Sequence, residues 1–349
     1  MLPGPSIGGM ALSTETVRWG VAATGGIAVR FMEGMQLVDD GVVAAVGSRT
    51  LDRAVAFADR FGIPGRHGSL DELAADPGVD VIYVASPHTA HEADTVRFLE
   101  AGKHVLCEKP LALNAGQAQR MADTARANGM FLMEAIWSRF LPAYQRLGEL
   151  LAAGRIGTPL VVEASFGFTR PVTPEHRLFD LALGGGSLLD LGIYPVQLCS
   201  LVFGAPDRVA AVGHLGSTGV DERVAAVLHH QAGGLGVVQA AITAPLACEA
   251  RISGSEGWVR LPAFMHCPQQ LVVGGQRGDE VVDATFEGDG IRFQVPEVHR
   301  CLREGLGESP VVPLAETVEM ALTLDEVRRQ IGLRYPAEQA GEVTPDTAG

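Results

Sequence analysis

The chain has no run of basic residues. Its 349 residues carry 41 acidic against 27 basic side chains, a formal net charge of -14. A nucleic-acid surface needs a clustered basic face, so this class of partner is excluded. The chain also lacks an uninterrupted apolar stretch near the ~18 residues of a membrane span. We therefore expect neither a nucleic-acid partner nor a membrane segment.

Cysteine is scarce. The five cysteines are an odd number, widely spaced, with no CxxC pair and no histidine at zinc-ligand spacing, which predicts reduced thiols and no metal site. The first residues lack the basic segment and apolar core of a signal peptide, so we expect a cytoplasmic protein. Residues 1–15 and 336–349 are rich in Gly, Pro, Ala and polar residues and are predicted to be mobile tails.

The rest of the chain shows two different patterns of predicted secondary structure. Over residues 16–138, short apolar runs alternate with helical patterns, which predicts a doubly wound parallel sheet of the Rossmann type. Over residues 139–335, longer strand-like segments follow one another through glycine-containing turns, which predicts an α+β domain with a large, mainly antiparallel open sheet. Apolar residues on both faces of that sheet predict a substrate domain that also forms a homo-oligomer, a dimer or tetramer.

The first predicted strand runs into AATGGIA, residues 22–28, where a glycine fingerprint would stand. Such a turn brings backbone N–H groups and a helix N-terminus against a pyrophosphate. A purely structural turn between strand and helix is the alternative. The residues predicted to hold the pyrophosphate are Ala23, Thr24, Gly25, Gly26 and Ile27.

The second strand ends in Gly47-Ser48-Arg49-Thr50, without the acid that accepts a ribose 2′-hydroxyl in NAD-specific sites. A hydroxyl followed by a guanidinium suits a 2′-phosphate. We therefore predict that Ser48, Arg49 and Arg53 bind NADP, with NAD less favoured. The alternative is an arginine that is only solvated at a helix start.

An acid, a base and a proline follow the buried strand in HVLCEKPLAL, residues 104–113. Strands of an open parallel sheet end at the ligand crevice. Glu108 and Lys109 are therefore predicted to face the nicotinamide and the substrate, and the alternative is a salt-bridged surface pair.

The stretch GGGSLLDLGIYPVQL, residues 184–198, places Asp190 and Tyr194 four residues apart on one helix face, with Ser187 as the predicted N-cap. A carboxylate and a phenol on an otherwise apolar helix need partners if they are buried. Mutual satisfaction in a core is the alternative to an acid–base role.

These motifs together resemble the Gfo/Idh/MocA oxidoreductase family. The resemblance rests on a strand ending in Ser-Pro-His at 86–88, on His91, on AGKHVLCEKP and on the glycine-rich helix. It implies hydride transfer between NADP and a secondary hydroxyl of a sugar, such as D-xylose, or of a vicinal diol, such as a trans-dihydrodiol. It assigns the catalytic roles to Lys109, Asp190 and Tyr194, and it implies a cis Lys109–Pro110 bond.

Further site residues follow from the resemblance and from their position. The additional residues predicted to bind the cofactor are Ser86, Pro87, His88, His91, Glu108, Lys109, Trp137 and Arg139. The residues predicted to bind the substrate are Trp137, Phe166, His176, Arg177, Asp190 and Tyr194. Ordinary core packing is the alternative for Trp137, Arg139 and Phe166.

Oxidising an alcohol needs a base, and a free phenol with a pKa near 10 is too weakly ionised. A lysine cation at roughly 4 Å is worth on the order of 4 kcal/mol at an effective dielectric of 20, or about 3 pKa units. Lys109 is thus predicted to lower the pKa of Tyr194. Many family members have histidine at this position, so tyrosine indicates the dihydrodiol-oxidising branch.

Two rival functions remain open at this stage. One is a non-catalytic NADP-binding redox sensor, which has no need of the acid–base set. The other is NAD-dependent glycoside cleavage, in which the cofactor is retained without net turnover.

Overall fold

The computed structural model describes residues 16–275 and 278–339. The first sheet has six parallel strands in the order β3-β2-β1-β4-β5-β6. The strands are β1 (Val17–Ala22), β2 (Gly41–Gly47), β3 (Gly65–His67), β4 (Val81–Val84), β5 (His104–Glu108) and β6 (Leu132–Ala135). The order reverses between β1 and β4, and such a switch point opens a crevice at the carboxyl ends of the strands. The predicted doubly wound Rossmann sheet is confirmed.

Helices connect these strands. They are α1 (Gly26–Met35), α2 (Leu51–Phe61), α3 (Leu70–Ala74), α4 (His91–Glu100) and α5 (Ala115–Asn128). A polar side chain caps the start of two of them: Ser69 caps α3, and Asn114 accepts from the Gln117 N–H at 2.9 Å and begins α5. The short β3 and α3 were not predicted, because three and five residues are too few to show a periodicity.

The second sheet has eight strands in the order β14-β13-β12-β11-β7-β10-β9-β8. They are β7 (Pro159–Gly167), β8 (Arg208–Leu215), β9 (Asp221–His229), β10 (Leu235–Ala241), β11 (Ala250–Gly254), β12 (Gly257–Leu261), β13 (Gln270–Gly275) and β14 (Glu280–Asp283). Only β7 and β10 pair in parallel, and the other neighbours are antiparallel. The predicted mainly antiparallel sheet is confirmed.

The helices of this half are α6 (Pro142–Ala152), α7 (Ile193–Phe203), α8 (Gln294–Arg303), α9 (Leu314–Ile331) and α10 (Pro336–Gln339). Of these, α6, α7 and α9 contact strands of the second sheet and cover one of its faces. Val224, Ala226 and Leu228 of β9 are buried on the covered face. The alternate residues Arg223 and Val227 are exposed on the other face.

The end of the chain departs from the prediction. Residues 336–339, expected to belong to a tail, form α10, because Glu338 accepts two hydrogen bonds at 2.8 Å from the Arg328 guanidinium. The predicted tails at 1–15 and 340–349 lie outside the described residues.

One helical stretch of the described chain, Leu181–Phe203, is apolar and long enough to cross a membrane by length and composition. In this structure 78% of the 18-residue apolar segment within this stretch is buried inside the protein. Its second half is α7, which packs against β7 and β10. A buried core helix satisfies the same criterion, and this stretch is one.

Candidate active site

The EKP turn lies at the crevice, where β5 ends. Glu108 is buried and accepts hydrogen bonds from the Tyr83 hydroxyl and from the Lys109 N–H. Burial raises the pKa of Glu108. The Lys109–Pro110 bond is cis, as the family resemblance implied.

Lys109 reaches from this turn to Asp190 on the other domain. Its ammonium Nζ lies 2.7 Å from the backbone carbonyl of Asp190 and 3.4 Å from its carboxylate. That carbonyl belongs to a single π-helical turn, Leu188–Gly192, that precedes α7. A π-turn shifts the helical hydrogen-bond register, and such turns occur often at functional sites. Two of the three ammonium protons are thus directed to Asp190, and one remains available.

Arg177 completes the surroundings of Asp190. Its guanidinium donates to both carboxylate oxygens, at 3.0 and 3.3 Å. Burial alone would raise the pKa of Asp190, but the cations Lys109 and Arg177 hold that pKa below its ordinary value. Asp190 is therefore ionised at neutral pH and anchors both cations.

Tyr194 lies beside Lys109, with the ammonium 5.1 Å from the ring centroid. Its hydroxyl accepts a hydrogen bond from the Trp137 indole at 3.0 Å. Burial, followed by the charges of Glu108 and Asp190, raises the pKa of Tyr194 well above 10. The prediction that the pKa of Tyr194 is lowered is wrong in this arrangement, because burial and the two carboxylates raise it.

An aromatic wall stands beside the phenol. Phe166 on β7 lies 5.6 Å from the Tyr194 ring, measured between centroids, and stacks on His266 at 4.3 Å with 16° between the ring planes. Trp137 meets His266 edge-on at 5.7 Å. The structure thus brings together the predicted Trp137, Phe166 and Tyr194. The sequence analysis missed His266, which lies between β12 and β13.

The glycine run permits a close backbone approach. A Cβ on Gly185 would lie 2.6 Å from the Arg177 carbonyl oxygen, and one on Gly186, whose φ is 123°, would lie 2.0 Å from the Asp221 carboxylate. Ser187 occupies the predicted N-cap position, before the turn Leu188–Gly192, but its side chain makes no capping hydrogen bond. Its hydroxyl donates to Asp221, which also accepts from the Leu188 N–H, both at 2.7 Å.

The nucleotide turn is open on its ligand side. Ala23 takes a positive φ of 86°, the conformation that glycine usually supplies there. Apart from the neighbouring residues and the backbone of α1, no atom of the described residues lies within 4 Å of a Cβ built on Gly25 or Gly26. The N-cap of α1 makes no side-chain hydrogen bond, so its first N–H groups are available to a phosphate. Thr24 and Ile27 flank these glycines.

The end of β2 carries two unpaired cations. Arg49 and Arg53 are exposed, and within the described ranges neither makes a hydrogen bond or an ion pair. Ser48, just before them, is buried, and its N–H donates to the His67 carbonyl at 3.2 Å. These residues fit the 2′-phosphate and the pyrophosphate of NADP, because unpaired guanidinium groups and helix N–H groups both bind phosphate.

The loop after β4 forms the opposite side of the crevice. Ser86 has a buried hydroxyl with no hydrogen-bond partner among the described residues, and Pro87 is exposed. The two ring nitrogens of His91 lie 2.9 Å from the Pro110 and Ser86 carbonyl oxygens. His88 contacts the Gly184 carbonyl oxygen at 3.0 Å, and burial lowers its pKa to about 3.

Arg139 and His176, both predicted site residues, make their hydrogen bonds outside the group around Asp190 and Tyr194. The buried guanidinium of Arg139 donates to Gln197 at 2.5 and 3.2 Å and pairs with Glu316 of α9. These contacts tie Arg139 to α7 and α9, and its predicted contact with the cofactor stays a prediction. His176 instead lies on the loop that carries Arg177, and its ring accepts from the Leu178 N–H at 3.2 Å.

A family model for an oxidoreductase family with an NAD-binding Rossmann fold, Gfo/Idh/MocA, matches residues 17–136. A model of the family's C-terminal domain matches residues 144–260. The chain belongs to the Gfo/Idh/MocA oxidoreductase family. The resemblance drawn from the EKP and glycine-rich motifs is confirmed.

Full-length relatives agree with the family models. The trans-1,2-dihydrobenzene-1,2-diol dehydrogenase of Mus musculus is 41% identical over 333 residues, covering 93% of this chain and 99% of the mouse protein. The protein of the same name from Homo sapiens is 40% identical over 333 residues, with the same coverage. This Gfo/Idh/MocA chain therefore matches dehydrogenases over nearly its whole length.

Solved structures share the architecture. A 3-ketoreductase from Actinomadura kijaniata in complex with NADP and TDP-benzene has a TM-score of 0.81 at 27% identity, covering 90% of this chain and 98% of the other. An aldose-aldose oxidoreductase from Caulobacter crescentus complexed with glycerol has a TM-score of 0.82 at 23% identity, covering 93% and 98%. The second likeness concerns the fold alone.

Proposed function

We propose that this protein is an NADP-dependent dehydrogenase that acts on a secondary hydroxyl of a sugar or a vicinal diol. The observation that carries the proposal is the meeting of Lys109, Asp190 and Tyr194 at the carboxyl edge of the parallel sheet. The bound nicotinamide would supply or accept the hydride. The protein's own groups then have to move one proton and orient one hydroxyl.

Tyr194 is the proposed proton carrier. Trp137 occupies an acceptor position on its oxygen, which leaves the phenolic proton free to reach a substrate oxygen. A phenol with a raised pKa holds its proton at neutral pH, and so it is suited to donate that proton when a ketone is reduced. In the oxidising direction the phenolate form of Tyr194 would accept the proton of the substrate hydroxyl as the hydride leaves.

Lys109 is the proposed second donor. With two of its protons directed to Asp190, its third N–H can bind the same substrate oxygen as the phenol. Two donors aimed at one oxygen stabilise the charge that develops there during hydride transfer. Asp190 orients this ammonium, and Arg177 holds Asp190 from the solvent side.

NADP is the proposed cofactor, held by the α1 turn and by the unpaired Arg49 and Arg53. The NADP complex of the related ketoreductase supports this choice.

A redox sensor without turnover, the first rival function, would have no use for the acid–base residues Lys109, Asp190 and Tyr194. Glycoside cleavage, the second rival function, retains the cofactor and forms no net NADPH, so NADPH absorbance distinguishes it from the proposed dehydrogenase.

A homo-oligomer is proposed through the uncovered face of the second sheet. Val212 is 73% and Val227 44% exposed there. Glu163 lies opposite Arg251 in the same sheet, so the face carries both charge signs. A second copy related by a two-fold axis can therefore match apolar and charged groups at once.

The test is a screen of purified protein with NADP and NAD against aldoses, inositols and trans-dihydrodiols, followed by NADPH absorbance. We expect NADP-linked turnover with at least one hydroxyl class. Cofactor binding without turnover on any member would favour the sensor, and turnover with NAD alone would remove the cofactor assignment.

A further inference from the structure

His266 forms a wall of the pocket next to Tyr194, yet the proposed chemistry gives it no role. Its ring centroid lies 5.1 Å from that of Tyr194 and 4.3 Å from that of Phe166. Lys109 and Arg30 are near enough to affect its charge. The imidazole is thus a polar group in an otherwise aromatic wall, on the side of the pocket where the phenol lies.

The segment that carries His266 is held in place from behind. The Ser138 hydroxyl donates to the His266 carbonyl at 2.7 Å, and the Tyr144 hydroxyl donates to the Met265 carbonyl at 3.0 Å. Stacking on Phe166 fixes the plane of the ring. A binding group held this firmly costs little entropy when a ligand arrives.

The imidazole nitrogens have no protein partner. Within residues 16–275 and 278–339 neither of them makes a hydrogen bond, and Nδ1 is buried. Native structures rarely leave a buried polar atom unsatisfied. Burial, with the nearby Lys109 and Arg30, lowers the pKa of His266 to about 3, so the ring is neutral at working pH. A neutral imidazole has one donor and one acceptor, which matches a hydroxyl group.

Resting on the proposed function, we propose that His266 hydrogen-bonds to a substrate hydroxyl that lies beyond the reacting vicinal pair. The site would thereby select a polyhydroxylated ring, an aldopyranose, over a diol on a hydrocarbon ring. Phe166 and Trp137 pack against the apolar face of either ring and do not distinguish them. His266 is thus the specificity determinant of the pocket.

The experiment compares His266→Phe with the wild type on two substrate classes. D-xylose and its monodeoxy analogues represent the sugars, and trans-cyclohexane-1,2-diol represents the hydrocarbon diols. Phenylalanine keeps the stacking and removes the hydrogen bond. We expect kcat/KM for the sugar to fall roughly tenfold or more, with kcat/KM for the diol changed little.

The deoxy sugars locate the contact. Removing the hydroxyl that meets His266 should cost the wild-type enzyme as much as the variant loses on the parent sugar, and should cost the variant nothing further. His266→Asn, which keeps a donor and an acceptor, should restore part of the sugar activity. The exposed Gln269 lies on the same segment, and Gln269→Ala is the matched control that should retain wild-type selectivity.

The inference and the proposed function fail differently. If His266→Phe lowers kcat/KM equally for sugar and diol, or if the wild type prefers the hydrocarbon diol, His266 is not the determinant and the dehydrogenase assignment stands. If the wild type forms no NADPH with any hydroxylated substrate although NADP binds, the proposed function is wrong and this inference is lost with it.

Discussion

The indole Nε1 of Trp137 and the hydroxyl oxygen of Tyr194 are 3.0 Å apart, joined by a hydrogen bond in which the indole donates. Trp137 begins a 3-10 turn that follows the last strand of the parallel sheet, whereas Tyr194 belongs to the helix after the glycine run. The hydrogen bond therefore joins the two predicted domains and fixes the position of the Tyr194 hydroxyl relative to the parallel sheet. Because the Tyr194 hydroxyl accepts this bond, its own proton remains free to be donated to the substrate.

Cofactor choice should depend on Arg49. Arg49→Ala removes a guanidinium that has no partner in the described structure, so its loss should leave the fold intact. We expect KM for NADP to rise about 10- to 100-fold, since a hydrogen bond to a charged group contributes about 1.5–3 kcal/mol, with KM for NAD nearly unchanged. Arg334→Ala, which removes an exposed guanidinium in the second domain, is the control. An unchanged NADP/NAD ratio in Arg49→Ala would remove the argument.

Stability should fall as pH rises, because of Glu134 on β6. This buried carboxyl accepts from the Leu111 N–H at 2.9 Å and from the Thr317 hydroxyl at 3.1 Å, and burial raises its pKa from 4.5 to about 7. For an acid with a raised folded-state pKa, the stabilising contribution is complete below the unfolded pKa and is lost as pH rises through the folded one. Between pH 4.5 and 7 the loss is roughly 3 kcal/mol.

Urea unfolding of Glu134→Gln at pH 5 and pH 8 checks this. The amide cannot ionise, so the difference in unfolding free energy between the two pH values should shrink relative to the wild type. Glu175→Gln, on an exposed loop, should keep the wild-type dependence. Parallel pH curves for Glu134→Gln and the wild type would show that Glu134 is not the group responsible.

The assembly should depend on the uncovered face of the second sheet. Val212 lies on edge strand β8 with most of its side chain exposed, and a charge there would have to be desolvated in any interface. Val212→Glu should therefore convert an oligomer into a monomer in light scattering at micromolar concentration. The exposed Leu322 on α9 lies elsewhere, and Leu322→Glu is the matched control. A wild-type particle of 36.7 kDa would contradict the oligomer itself.

Local patterns predicted most of the fold. Alternating short strands and helices give a parallel sheet by connectivity alone, and glycine turns between long strands give an antiparallel one. Site residues at strand ends, such as Lys109, and on one helix face, such as Asp190, were predictable because topology places them at the crevice. The family resemblance added their roles.

The missed His266 and the surroundings of Arg139 depend on contacts that no local sequence pattern shows. His266 lies in a loop between two strands of the second sheet, and only the packing of Phe166 against it shows that it faces the pocket. Arg139 stands two residues after Trp137, yet points to α9, whose position depends on the whole fold. The π-turn that directs the Asp190 carbonyl to Lys109 likewise shows no signal in the sequence.

Lys109 and Tyr194 should act as one unit. Both donate to the same substrate oxygen in the proposed mechanism, so removing either leaves the other unable to stabilise the transition state alone. Tyr194→Phe and Lys109→Met should each lower the single-turnover rate of hydride transfer about 10²- to 10⁴-fold. The double variant should be scarcely slower than either single one, as for residues that cooperate in one step.

A separate measurement of cofactor binding distinguishes the role of Tyr194 from that of Lys109. Binding should survive in Tyr194→Phe, because the phenol faces the substrate, and should weaken in Lys109→Met. Asp190→Asn should be milder, because the Asp190 backbone carbonyl still accepts from Lys109 at 2.7 Å. Lys103, whose ammonium donates to two backbone carbonyls at the other end of β5, provides the control Lys103→Met. A Tyr194→Phe enzyme with a near-normal single-turnover rate would show that another group carries the proton, and the third N–H of Lys109 is the donor placed to do so.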